Sequence, residues 1–209
     1  DAVMTVGTPD WLWLSTGVKA LDHCIERLYT SGNQPAIDAP ILAAAEVLFT
    51  YLPKSRESDG DPEARLRCLV AAWMSMMGAP NFATGLSHAI GHILGVKYSM
   101  GHGYTSCVTQ PYVMEFNRPV SAAKQALLAR SAGLDTRGMS DDAAAEAAAR
   151  AVDDFIMGMG MPHRIRELEI PEEDLPEIAR LVLTDGGSRN NPIPVTTVEQ
   201  VMEVLKAAF

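Results

Sequence analysis

Apolar residues return at helical spacing along most of the chain, and clusters of turn-forming residues cut the pattern into segments. The first helix is expected to start after Thr8-Pro9-Asp10, where Pro and an acid both suit a first turn. It runs through Leu12, Thr16, Ala20, His23, Ile25 and Tyr29 to Ser31-Gly32-Asn33, with Gly17 as a candidate break. A second helix fits Ile37 to Tyr51 and stops at Pro53. After the turn Asp59-Gly60-Asp61-Pro62, a third spans Glu63 to Met77 and ends at Gly78-Ala79-Pro80. Its surface is largely apolar after Arg67, which predicts a central, buried helix.

A fourth helix carries Gly85 to Leu94, and Gly95 to Tyr104, with three Gly, reads as a loop. Cys107 to Glu115 is helical around Pro111, and Ser121 to Ala132 forms a separate helix. Ser140 caps the next, to Met157, with Asp141 and Asp142 in its first turn. Met161-Pro162 breaks the pattern, and Ile170-Pro171-Glu172-Glu173 starts another helix. Asp185 to Ser188 and Asn190-Asn191-Pro192 read as an irregular connection, after which Thr196 or Thr197 caps the last helix through Val201, Val204 and Leu205. The sum is a single all-α bundle of about eight to ten helices, without repeat, linker or strand.

Composition narrows the functional classes. Hydrophobic residues at 47% exclude disorder, while only 6% aromatics beside abundant Ala and 11 Met favour helix over a β-sandwich. A formal charge of −9, with no basic stripe, gives no nucleic-acid footprint and no attraction to an anionic membrane surface. Cys24, Cys68 and Cys107 are widely spaced and odd in number, which points to a reducing, cytoplasmic setting. No apolar run is long enough for a membrane span. The chain opens on Asp1 rather than Met, without signal-peptide character, and is expected to be part of a longer sequence.

Three of the five His fall close together. His88 and His92, at i and i+4, share one side of the fourth helix, a spacing that lets two imidazoles meet one metal or one substrate. His102 sits between Gly101 and Gly103, where backbone can come close to another group. His23, flanked by apolar residues, reads by itself as a packed core residue. The zinc-peptidase pattern HExxH is absent, so spacing alone supports a metal site or an acid–base site without choosing. Trp11, Trp13, Trp73, Met74, Met76 and Met77 read as core, and Cys24 and Cys107 as inert buried thiols. His163 is expected in an exposed turn, and Arg118, Arg164 and Arg166 as solvated or ion-paired rather than anion-gathering. Glu167 to Glu177 is an acidic solvated face.

Longer strings go further. Gly85-Leu86-Ser87-His88-Ala89-Ile90-Gly91-His92-Ile93-Leu94-Gly95, then Gly101-His102-Gly103, then Gln110-Pro111-Tyr112-Val113-Met114-Glu115-Phe116-Asn117, resemble the iron-containing alcohol dehydrogenase family. Gly17-Val18-Lys19-Ala20-Leu21-Asp22-His23-Cys24-Ile25-Glu26 and Asn190-Asn191-Pro192-Ile193-Pro194 extend the likeness over essentially the whole chain, nearest in pattern to the maleylacetate reductases. The resemblance implies a two-domain enzyme. An N-terminal α/β domain, expected upstream, would bind NAD(H) or NADP(H), and residues 1–209 would form the helical C-terminal domain, of the dehydroquinate synthase-like type. The active site would lie in the cleft between them, with a small carbonyl or alcohol as substrate, and the resemblance leaves room for a homodimer.

Carried over by position, the family's three metal-ligand His fall on His23, His88 and His102, with iron or zinc as the metal. His92 matches a cleft residue suited to proton relay, and His102 lies beside the nicotinamide. The family's metal-binding Asp falls on Lys19. An ammonium offers no lone pair and repels a divalent cation. Asp22 is about 100° round the helix from His23 and is expected to point away; Glu26 faces the right side, although the family does not use it as a ligand. One reading makes Lys19 the metal's replacement, polarising the substrate oxygen, as in the maleylacetate reductases, which also lack the Asp and work without added metal. A metal-dependent alcohol dehydrogenase on His23, His88 and His102, and a truncated or repurposed helical domain, are the alternatives.

Overall fold

The computed structural model describes residues 1–30, 32–56, 61–77 and 83–209. The expected stops at Ser31, at Asp59-Gly60 and at Gly78-Ala79-Pro80 lie outside these. The main helices are α1 (Asp10–Tyr29), α2 (Pro35–Tyr51), α3 (Pro62–Ser75), α4 (Leu86–Tyr98), α5 (His102–Ser131), α6 (Asp141–Gly158), α7 (Leu175–Val182), α8 (Gly186–Asn190) and α9 (Val198–Ala208). Short 3₁₀ turns connect several of them, and there is no strand among the described residues. The all-α expectation holds.

Two apolar clusters organise the helices. One gathers Leu14, Leu21, Ile25 and Leu28 of α1 with α2, α6 and part of α5. The other gathers Ile90 and Leu94 of α4 with Val108 and Val113 of α5 and with α7 and α9. Helix α5 belongs to both, and α1 and α4 approach each other along it, which leaves their polar faces at the seam.

Several expected boundaries shift. Gly17 does not break α1: a Cβ there would lie 2.5 Å from Leu52 Cδ1, so the glycine admits a neighbouring side chain instead. Helix α4 runs on to Tyr98 and stops at Ser99 in the left-handed region, and α5 begins at His102, so most of the expected Gly95 to Tyr104 loop is helical. The two helices expected either side of Phe116 are one, continuous through Pro111 and Pro119. An interior proline costs about 3 kcal/mol, so packing must hold this helix together. Buried Asn117, between the prolines, exchanges two side-chain hydrogen bonds with Asn191, at 2.8 and 2.6 Å. Residues 186–190 form the short α8 rather than an irregular stretch, and Thr197, not Thr196, closes a capping box on α9.

Helix α3 is not central. It buries Ala64, Cys68 and Ala71 but leaves Leu66, Val70 and Trp73 exposed, Trp73 by 68%. Among the described residues only one side of this outer helix has a neighbour to pack on. The expected aromatic and Met core is therefore only partly realised: Trp13 is buried and donates to Ser55 Oγ, whereas Trp11 is half exposed and stacks on Tyr104.

Candidate active site

Lys19 and His23 of α1, His88 and His92 of α4, and His102 at the start of α5 meet at the seam. The four imidazoles form a row, with ring centroids 5.1 Å apart for His23–His88, 6.2 Å for His88–His92 and 5.4 Å for His92–His102. All five residues singled out in the sequence are thus brought together. Exposure rises along the last three, with His88 buried, 43% of the His92 side chain exposed and His102 exposed, while His23 at the other end is half-buried.

Close approach of α5 to α1 makes this possible. A Cβ on Gly103 would lie 2.5 Å from the backbone of Ser15, so only glycine lets His102 come this near α1.

Asp22 does not point away. It is fully buried and its Oδ2 accepts from Lys19 Nζ at 2.8 Å and from Ser106 Oγ at 2.7 Å, with His88 Nδ1 at 3.5 Å. Because α1 is buried on more than one side, a residue 100° round from His23 still faces protein, here α5. Burial alone would raise this carboxyl's pKa; Lys19, His88 and His23 outweigh it and hold the group well below the usual carboxylate range. Its Oδ1 has no hydrogen-bond partner among the described residues.

Glu26 organises α4 from a distance. The helix starts at Gly85, which has no side chain to cap it. Glu26 instead accepts the N–H groups of Gly85 at 2.7 Å and Ser87 at 2.8 Å, and Asn191 Oδ1 accepts that of Leu86 at 3.3 Å. A carboxylate is favoured at a helix N-terminus, where unpaired N–H groups and the dipole both point to it. Glu26 Oε2 also lies 2.6 Å from His88 Nδ1, which fixes the ring and leaves Nε2 facing the row. Burial opposes the His88 imidazolium, but Asp22 and Glu26 raise its pKa overall. His23 differs: burial, with the positive charges of His88, Lys19 and Arg27, outweighs Asp22 and lowers it to about 3. Burial and Lys19 also lower that of His102.

Sequence reasoning missed Asp185. Its Oδ2 lies 2.8 Å from His92 Nδ1, and its Oδ1 accepts the Gly187 N–H at 2.8 Å. Burial would raise this carboxyl; the hydrogen bonds from His92 and Gly187 lower it. An Asp opening a glycine-containing helix start was the available signal, but nothing local tied it to a residue ninety-three positions earlier.

The arrangement fits a resident divalent metal poorly. Lys19 sets an ammonium, ion-paired to Asp22, near enough for its charge to act on His23, His88 and His102. Among the described residues the donors that gather within 4.8 Å of one another belong to Asp22, Glu26 and His88, not to the three matched imidazoles. Those carboxylates are already engaged by Lys19, Ser106, two backbone N–H groups and His88. For a dinucleotide the described residues hold no strand–glycine-turn–helix cradle.

The other candidates lie elsewhere. Cys24, Cys68 and Cys107 are buried, and burial pushes the Cys24 thiol up to about 12. Arg118 pairs with Glu115 and Asp142, and Arg164 covers the Tyr112 ring. His163 is partly buried between Asp153 and Glu167 rather than free in its turn.

A sequence profile described as "Fe-containing alcohol dehydrogenase family, C-terminal" matches residues 13–209. The chain belongs to that family. NAD-dependent methanol dehydrogenase of Bacillus methanolicus is 32% identical over the whole chain, which covers 55% of that relative. The crystal structure of a 1,3-propanediol oxidoreductase superposes with a TM-score of 0.95 at 29% identity, over all of this chain and 55% of that one. Maleylacetate reductase from Rhizobium sp. strain MTP-10005 superposes with a TM-score of 0.86 at 25% identity, again over all of this chain and 55% of that one. The chain spans about half the length of the curated relatives it matches. No described helix of this family member is long and apolar enough to cross a membrane.

Proposed function

We propose that this chain is the helical half of an NAD(P)-dependent oxidoreductase that interconverts a small carbonyl compound and its alcohol, working without a metal in the manner of the maleylacetate reductases. The observation that carries the reading is Lys19, its ammonium fixed by buried Asp22 beside the imidazole row. There it would donate to the substrate oxygen and stabilise the negative charge that develops on it, a preorganised contact of the oxyanion-hole kind. His92, held by Asp185 and open to solvent, would deliver the proton that completes the alcohol. His102, exposed at the rim, would line the space for the nicotinamide. The nicotinamide, when bound by the domain expected upstream, supplies the hydride.

A second reading, a metal-dependent alcohol dehydrogenase with iron or zinc on His23, His88 and His102, draws on the contiguity of the imidazoles. One experiment separates the two. The full-length protein is purified, its metals are counted, and oxidation of NADH and NADPH by small aldehydes is followed before and after chelation. Substoichiometric metal with unchanged turnover supports the first reading. Stoichiometric iron or zinc, lost together with activity, sinks it.

A further inference from the structure

Ser106 lies one turn beyond His102 on α5, and Thr109 follows at the next, so the three share the face that α5 turns to the seam. A buried hydroxyl needs a partner, and each of these two finds one on a different neighbouring helix. Ser106 donates to Asp22 Oδ2 of α1 at 2.7 Å, and Thr109 Oγ1 lies 3.0 Å from Ser87 Oγ of α4. Asp22 takes its donors unevenly. Lys19 Nζ and Ser106 Oγ both reach Oδ2, while Oδ1, also buried, has no hydrogen-bond partner among the described residues. A carboxylate left to itself beside an ammonium would bring both oxygens to it. A buried oxygen held bare therefore calls for a reason.

We infer that Ser106 is a positioning residue for the carbonyl reduction: it holds Oδ2 from α5, keeps Asp22 on Lys19 through one oxygen only, and so leaves ammonium N–H groups for the substrate oxygen. An ammonium carries three donors, and among the described residues Lys19 gives one to Asp22 and makes no other side-chain hydrogen bond. Without the Ser106 hydroxyl, the carboxylate is free to turn until both oxygens embrace the ammonium. That tighter pair would compete with the negative charge that develops on the substrate oxygen. The competition is felt in the transition state, where the charge is largest, more than in binding. Because His102 and Ser106 stand on one face of α5, the same helix that sets the rim also aims Lys19. Itself buried, Ser106 acts through Asp22 and Lys19 rather than on the substrate. This inference rests on the carbonyl-reduction reading above.

Structure and kinetics together test it. Crystal structures of the full-length wild type and Ser106→Ala are compared, and NAD(P)H oxidation by propanal is followed for both. The wild type is expected to show one Asp22 oxygen on Lys19 and the variant two. With that change kcat falls by about 10-fold and KM by less than about 2-fold in either direction, a smaller loss than removal of the donor itself. Ser106→Cys, similar in shape but a weak donor, falls between. Because Ser106 acts through Lys19, Ser106→Ala lowers turnover by less than about 2-fold in the Lys19→Met/Asp22→Asn background. A merely structural hydroxyl would lower it equally in both backgrounds, which overturns the inference. So does an Asp22 that keeps one oxygen on Lys19 in Ser106→Ala, or a wild-type kcat in that variant. If Ser106→Ala does not fold, Ser106→Cys decides: a kcat lowered several-fold supports the inference, and an unchanged one overturns it. Failure of the parent reading looks different. Turnover that requires a metal, or none with any aldehyde, removes the metal-free reduction, while the Asp22 contacts in the two crystal structures still decide whether Ser106 sets the ion pair.

Discussion

Lys19 Nζ lies 2.8 Å from Asp22 Oδ2, and the carboxylate of this pair is fully buried. Each charge is tolerable only with the other. Lys19→Met is therefore expected to destabilise the protein by about 3–5 kcal/mol, the usual consequence of stranding one member of a buried pair. Turnover should fall by about 10²- to 10³-fold with loss of the donor. The double variant Lys19→Met/Asp22→Asn distinguishes the two effects: thermal stability recovers and turnover does not. Recovery of both would remove Lys19 from the chemistry.

Replacing Lys19 by Asp reverses the charge and sets a carboxylate four residues before His23, on the same helical face. With Asp22 beside it, the site would then hold two carboxylates and no ammonium, a donor set that calls for a cation. Lys19→Asp is expected to acquire iron or zinc on purification, measured as metal per chain against the wild type. A variant that folds and stays metal-free would show that more than this one residue excludes the ion.

His92 depends on Asp185, the residue that fixes its ring through Nδ1. His92→Ala should lower turnover by about 10²- to 10⁴-fold, the range of general acid catalysis. Asp185→Asn should show a partial loss, because the amide can still bond the ring but no longer also holds it with a full charge. Unchanged rates in His92→Ala would rule out the proton-relay assignment.

Local signals in the chain reveal its helices and its row of histidines, because capping residues, prolines and the i, i+4 spacing act over a few positions. The partners of those histidines are not legible in the same way. Glu26 caps a helix fifty-nine residues downstream, Asp185 reaches back ninety-three, and Asn191 clamps Asn117 across seventy-four. Such pairs exist only once α1, α4, α5 and the tail are packed, and no periodicity encodes them. The same holds for α5, where Pro111 and Pro119 read as interruptions but packing from both sides and the Asn117–Asn191 exchange override the local penalty. Asp22 was misjudged for a related reason, since an angle about one helix does not say what lies on its other side.

Gly103 sets how near His102 comes to Lys19. A methyl group there would meet the carbonyl carbon and oxygen of Ser15, which are backbone atoms and cannot turn aside. Gly103→Ala is expected to destabilise by about 1–3 kcal/mol through overpacking. It should also raise KM by pushing the start of α5 away from α1. Denaturant midpoints and steady-state kinetics check the two effects, and a variant with wild-type values for both would contradict the close approach.

Acid should weaken the fold through His23. Burial, with nearby positive charge, lowers its pKa from 6.5 to about 3, so the folded protein keeps this ring neutral where the unfolded chain takes up a proton. Stability therefore declines as pH falls through that window, by up to about 1.4 kcal/mol per pH unit for one proton. His88 works in the opposite sense: its raised value stabilises below the unfolded pKa, and that contribution is lost as pH rises through the folded one. Between about pH 6 and 5 the His88 contribution is nearly complete, and most carboxylates, Asp22 in the unfolded chain included, are still ionised, so the slope there is chiefly that of His23. Urea midpoints measured across this interval should fall with pH in the wild type and stay nearly flat in His23→Asn. A slope that persists in the variant would place the acid sensitivity in another group.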